Sequence, residues 1–216
     1  MSEFAQLPLK TANGAPLVHK YRRHAEEAAG LLIVFPGNRY GVDGPLLYYP
    51  SSLLWRSGWD VLAVTYGFQS AMAEVTPEVF PQTMRECRSA VQEALLARSY
   101  SRVGLLGKSL GANVVAYLCG ALPKLEGSRA AYLTPPIGTG WFDSAYASTR
   151  QPSYVALGTA DGFYDAEALR QLREVRPCEL TVIEGGDHSL EIEGDLERSL
   201  EALGKVCREV AAFLQG

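Results

Sequence analysis

Apolar residues fall into two patterns along this chain: short unbroken runs, and longer stretches in which they recur every three or four positions. The runs lie at residues 31–35, 61–65, 102–106, 130–134, 153–157 and 179–183, and each reads as a strand. The first, Leu31-Leu32-Ile33-Val34-Phe35, is apolar at every position and stops at Pro36-Gly37, as a strand covered on both faces would. Helical spacing marks residues 78–98 through Phe80, Met84, Cys87, Val91 and Leu95. It marks a closing helix through Leu196, Leu200, Leu203, Val206, Val210 and Phe213, and a shorter helix at 166–175. Residues 46–56 carry Pro50, so a helix there is expected to begin near Ser51 or Ser52 as its N-cap. Ahead of these, residues 7–11 and 17–22 flank Asn13-Gly14, a dipeptide suited to the positive φ angles of a tight hairpin.

Strands and helices therefore alternate, which predicts a mostly parallel sheet with helices on both faces and a ligand site beyond the strand carboxyl ends. One domain over residues 1–216 is expected, because no repeat, low-complexity run or linker interrupts the pattern. Only a short insertion is expected between residues 134 and 153.

Composition narrows the partners. With 47% hydrophobic and 20% charged residues and a formal charge of −4, the chain is an ordinary globular one with no basic cluster for nucleic acid. Its first residues lack a basic segment followed by an apolar one, and no run is long enough to span a bilayer, so a cytoplasmic location is the default expectation, without membrane binding. Cys87, Cys119, Cys178 and Cys207 lie far apart without metal-ligand spacing and read as free thiols, mostly buried. Nothing calls for a metal or organic cofactor.

The chemistry centres on Gly107-Lys108-Ser109-Leu110-Gly111, which joins the run at 102–106 to the apolar stretch 113–119. A serine bracketed by glycines between a strand and a helix is the pattern of a nucleophile elbow, where side chains at the bracketing positions would collide with the neighbouring backbone. A phosphate-binding loop would need a further glycine where Arg102 stands. Of the three histidines only His188 follows the serine, in Gly185-Gly186-Asp187-His188-Ser189 after the last strand, and it is the expected general base. Asp161, in Gly158-Thr159-Ala160-Asp161-Gly162, is the expected orienting acid; Asp165 is the alternative, or a helix cap, and Asp187 reads as a turn former. An oxyanion hole would use the backbone N–H of Leu110 and one from the loop 36–40, with Asn38 preferred over Arg39. His19 and His24 read as solvated hairpin residues and Lys108 as an exposed lysine outside the site. Tyr40, Tyr66, Phe68, Trp141, Phe142, Phe163 and Tyr164 fall near strand ends, where they could line an acyl pocket or belong to the core.

On the motifs around Ser109, Asp161 and His188 the chain resembles the α/β-hydrolase superfamily from about residue 31 to its C-terminus. Its length, the lack of a lid-sized insertion and Asp187-His188-Ser189 resemble small hydrolases related to dienelactone hydrolases, although serine replaces their nucleophilic cysteine. Many relatives also carry His-Gly where this chain has Pro36-Gly37. The resemblance implies an α/β-hydrolase fold with little or no lid and a serine hydrolase acting on a small ester or thioester. Oligomeric state is left open. Two other readings keep the fold: transfer of the acyl group to another acceptor, and a non-catalytic binding scaffold.

Overall fold

Each of the six apolar runs forms a strand in the computed structural model, which describes residues 3–11, 14, 16–71, 76 and 78–216. They are β3 (Gly30–Phe35), β4 (Trp59–Ala63), β5 (Val103–Lys108), β6 (Arg129–Leu133), β7 (Ser153–Gly158) and β8 (Glu179–Ile183), preceded by β1 (Glu3–Lys10) and β2 (Pro16–Arg23). Together they make one eight-stranded sheet in the order β1-β2-β4-β3-β5-β6-β7-β8. The six central strands run parallel, and β2 pairs antiparallel with both β1 and β4. The leading hairpin is as expected, with Gly14 at φ 79, while Asn13 lies outside the described residues.

Period-two alternation divides the sheet residues between two cores. Leu31, Ile33, Phe35 and Leu105 face α3 (Val79–Ala97), α4 (Leu110–Ala121), α5 (Trp141–Ala147) and α6 (Ala166–Val175). Leu32, Val34 and Leu106 face α1 (Pro45–Arg56) and α7 (Leu196–Gln215). Every one of those seven sheet residues is at most 1% exposed, and burying a side chain of this size contributes roughly 1.5–3 kcal/mol. The helices cover the sheet and leave the carboxyl ends of the parallel strands for loops. No helix among the described residues is long and apolar enough to cross a membrane.

Two expectations are corrected. Helix α1 begins at Pro45 after Gly44, so Ser51 and Ser52 lie within it and Pro50 is an interior proline. Pro45 occupies the first turn, where a missing N–H costs nothing, and Pro50 gives up one helical hydrogen bond while Leu46, Leu47 and Leu54 are buried around it. The segment between β6 and β7 is short, as expected, and holds α5, whose Phe142 and Tyr146 stack at helical spacing and pack edge-on against Tyr132. His19 is not solvated, and His24 is half-buried. His19 is 1% exposed and accepts a hydrogen bond from the Thr65 N–H at Nδ1, and His24 stacks on Trp55 at 3.8 Å.

Candidate active site

Ser109 sits between β5 and α4 at φ 53 and ψ −112, a conformation that costs a non-glycine residue free energy and holds the side chain up from the turn. The two flanking glycines make the turn possible. A Cβ on Gly107 would lie 2.3 Å from the Gly111 carbonyl oxygen, and one on Gly111 would lie 2.1 Å from that of Phe35. The backbone of β5 thus runs directly against the first turn of α4, and α4 against the end of β3. Ser109 is half-buried, and the Leu110 N–H heads α4, where first-turn amides lack helical acceptors and the helix dipole favours negative charge.

The loop after β3 approaches the serine from the side. A Cβ on Gly37 would lie 3.7 Å from that of Ser109. This loop is fixed by two residues that were not expected in this role. The Tyr66 hydroxyl donates to the Pro36 carbonyl at 2.8 Å, and Gln69 Nε2 donates to the carbonyls of Gly37 at 2.8 Å and Asn38 at 3.2 Å. Gln69 is carried by the short helix α2 (Gly67–Ser70), whose first N–H is accepted by the buried Glu86 carboxylate at 3.1 Å. Asn38, the residue after Gly37, is exposed, and Arg39 follows it, also exposed.

Asp161 and His188 come from the neighbouring loops after β7 and β8. Those loops are laced together by backbone bonds from Thr159 N–H to Ile183 at 3.0 Å and from Ala160 N–H to Gly186 at 2.9 Å. A further bond runs from the Gly185 N–H to the Thr159 hydroxyl at 2.8 Å. Gly158 permits this, since a Cβ there would lie 2.0 Å from the Gly186 carbonyl oxygen. The result is a 2.8 Å hydrogen bond between His188 Nδ1 and Asp161 Oδ2, with Asp161 almost wholly buried and its Oδ1 accepting from the Phe163 N–H. Asp161 and His188 are thus brought together as expected. The Ser109 hydroxyl makes no hydrogen bond to His188 in this arrangement, a contact that unliganded sites commonly tighten only with substrate. Asp165 caps α6 by accepting from the Glu167 and Ala168 N–H groups, and Asp187 accepts from those of Ser189 and Glu191, so both have the structural roles weighed for them.

Lys108 is the main departure from the sequence reading. It is 2% exposed, with Nζ 4.6 Å from the centre of the Tyr40 ring and the carboxylates of Asp161 and Asp187 in electrostatic range. Burial lowers its pKa from 10.5 to about 8, and the two carboxylates oppose the drop. Strand alternation carried the signal, because Lys108 shares the face of buried Leu106. Of the aromatic candidates, Tyr66, Phe68 and Phe142 are buried core residues, whereas Phe163 is exposed with its ring 5.5 Å from that of His188. All four cysteines are free thiols.

A protein-family model described as an alpha/beta hydrolase domain matches residues 37–215. No curated protein matches the sequence. Solved structures match throughout the chain at low identity. An α/β serine hydrolase without a lid from Xanthomonas campestris superposes with a TM-score of 0.72 at 18% identity, covering 98% of this chain and 95% of its own. An α/β serine hydrolase homologue from Coxiella burnetii gives 0.74 at 15% identity, over 95% and 96%. A dienelactone hydrolase from Anabaena variabilis gives 0.67 at 15% identity, over 97% and 96%. At such identities the likeness is one of fold.

Proposed function

Because the chain belongs to the alpha/beta hydrolase domain family, we propose that it is a serine hydrolase cleaving a small carboxylic ester or thioester through an acyl-enzyme on Ser109. The observation that carries this reading is the pairing of a strained serine at an elbow with an Asp161–His188 hydrogen bond from the adjacent loops. In it, His188 accepts the hydroxyl proton through Nε2 as Ser109 attacks the acyl carbon, and Asp161 holds Nδ1–H and stabilises the imidazolium. The same proton then goes to the departing alkoxide or thiolate, and water, activated in turn by His188, releases the acid. The oxyanion of each tetrahedral state is met by the Leu110 N–H at the head of α4 and by the Asn38 N–H. The similar Xanthomonas campestris hydrolase is described as lacking a lid, and in this chain the connection between β6 and β7 carries only the seven-residue α5, which favours short, accessible substrates.

A fluorophosphonate probe followed by esters of increasing acyl length tests the reading. The wild type is expected to be labelled at Ser109, and Ser109→Ala and His188→Ala each to lose about 10⁴-fold or more in turnover, with the double variant hardly worse than either. Failure of the folded wild type to react with the probe would rule the reading out.

A further inference from the structure

We propose that Lys108 is a positioning residue of this site: its ammonium, beside the Tyr40 ring and in electrostatic range of the carboxylates of Asp161 and Asp187, keeps the His188 imidazole in its neutral, proton-accepting form. The proposal rests on the reading of Ser109, Asp161 and His188 as a triad. Lys108 is the last residue of β5 and precedes Ser109, so its backbone is part of the elbow. Its side chain is 2% exposed, yet among the described residues it forms no ion pair within 4.0 Å. A buried ammonium without a close counter-ion is costly, and the position lies on the face occupied by Leu106, where an apolar side chain would fill the space without that cost. Packing therefore does not account for the charge.

The surroundings indicate what the charge acts on. From the loop after β3 comes Tyr40, whose hydroxyl accepts from the Leu46 N–H at 2.8 Å and which has Glu191 and the α7 thiol of Cys207 in electrostatic range. From the loop after β7 comes Asp161, and from the loop after β8 come Asp187 and His188. Both carboxylates already accept backbone N–H groups, which holds them in place. One cation is thus set against two fixed anions beside one imidazole. Without it, the uncompensated negative charge favours imidazolium, which cannot accept the serine proton. A role in capturing substrate anions fits less well, because the ammonium already has two carboxylates in electrostatic range. Its pKa of about 8 still leaves the charge in place over the range in which an ordinary imidazole titrates.

The test is the rate of Ser109 labelling by a neutral fluorophosphonate between about pH 5 and about pH 9 in wild type, Lys108→Met and Lys108→Arg. The acidic limb of the rate profile is expected to move up by about 0.5–1 pH unit in Lys108→Met and to stay in place in Lys108→Arg, which keeps the charge. Lys108→Gln, with a polar head of similar reach, replaces Lys108→Met if the latter fails to fold. An unmoved limb in the uncharged variant, or the same shift in Lys108→Arg, overturns the proposal. A folded wild type that takes no label overturns the triad reading and this proposal with it, whereas a labelled wild type with a limb indifferent to Lys108→Met overturns the role of Lys108 alone.

Discussion

The two ends of the sheet hold buried charge in opposite ways. At the amino ends of the parallel strands, Asp60 accepts from the His24 N–H at 2.8 Å, from Arg98 Nη1 at 3.1 Å and from the Tyr100 hydroxyl at 2.7 Å. Tyr100 is bonded in turn to Tyr21, and Arg98 also donates to backbone carbonyls of His24 and Glu26. The Asp60 carboxylate is fully enclosed and multiply hydrogen-bonded. At the carboxyl ends, among the described residues, Lys108 has no close counter-ion and the Asn113 and Thr134 side-chain oxygens have no partner. Among the described residues, the non-glycine positions at positive φ are Ser109, Thr134 and Leu190, all beyond strand carboxyl ends. A saturated network holds a fold, whereas strain and unspent hydrogen-bonding capacity are tolerated where a ligand or a reaction uses them.

The same substitution at each end separates the two roles. Asp161→Asn is expected to lower kcat/KM by about 10³–10⁴ through the wrong imidazole tautomer while the fold survives. Asp60→Asn is expected to destabilise by about 3–5 kcal/mol, because Arg98 loses its buried counter-ion, while activity per folded molecule is unchanged. Ester turnover alongside denaturant midpoints reads both variants. A stable Asp60→Asn protein, or a merely destabilised Asp161→Asn one, would erase the contrast.

His19 sharpens the comparison from another side, because unsatisfied polarity also occurs at the carboxyl end of β4 with no reaction assigned to it. Its Nδ1 accepts from Thr65, so Nε2 carries the proton and has no partner among the described residues, and burial lowers its pKa from 6.5 to about 4. Below pH 6.5 the unfolded chain takes up the proton first, so stability falls as pH drops towards 4 and this contribution is complete below that. His19→Asn, whose side-chain oxygen can occupy the Nδ1 position, is expected to abolish about 3 kcal/mol of acid destabilisation. Midpoints for both proteins at neutral pH and near pH 4.5 provide the measurement, and equal acid losses in the two would place the proton elsewhere.

Much of this architecture was readable from local pattern. Period-two runs and three-to-four spacing located the central strands and α3, α6 and α7 closely, because those elements are governed by which face they bury. The elbow and its glycines were legible since the collision they avoid lies within the motif and the strand beside it. The start of α1 was misplaced because Pro50 is a general helix breaker, and only the packing of Leu46 and Leu47 offsets it. Helix α5 was too short to show periodicity beyond the Phe142 and Tyr146 pair. The burial of Lys108 could have been inferred from Leu106, two residues earlier. Gln69 could not, because its partners lie 31 and 32 residues back in the chain.

Gln69 supplies the smallest expected effect and the finest test of how the site is held. Its amide donates to two successive carbonyls in the loop expected to carry the second oxyanion donor, and its own helix is fixed by Glu86. Gln69→Ala removes the tether without touching any reacting group. The Asn38 N–H then samples more orientations, and kcat is expected to fall by about tenfold with KM little changed, less than the 10²–10³ that a lost donor costs. Gln69→Glu is expected to be worse than alanine, because a carboxylate would face two carbonyl oxygens and push the loop away. Steady-state kinetics on one short ester, with kcat and KM resolved, orders the three proteins. If glutamate were as good as glutamine, the tether would be irrelevant and the loop would owe its shape to the Tyr66 hydroxyl on Pro36 and the Gly37 turn alone.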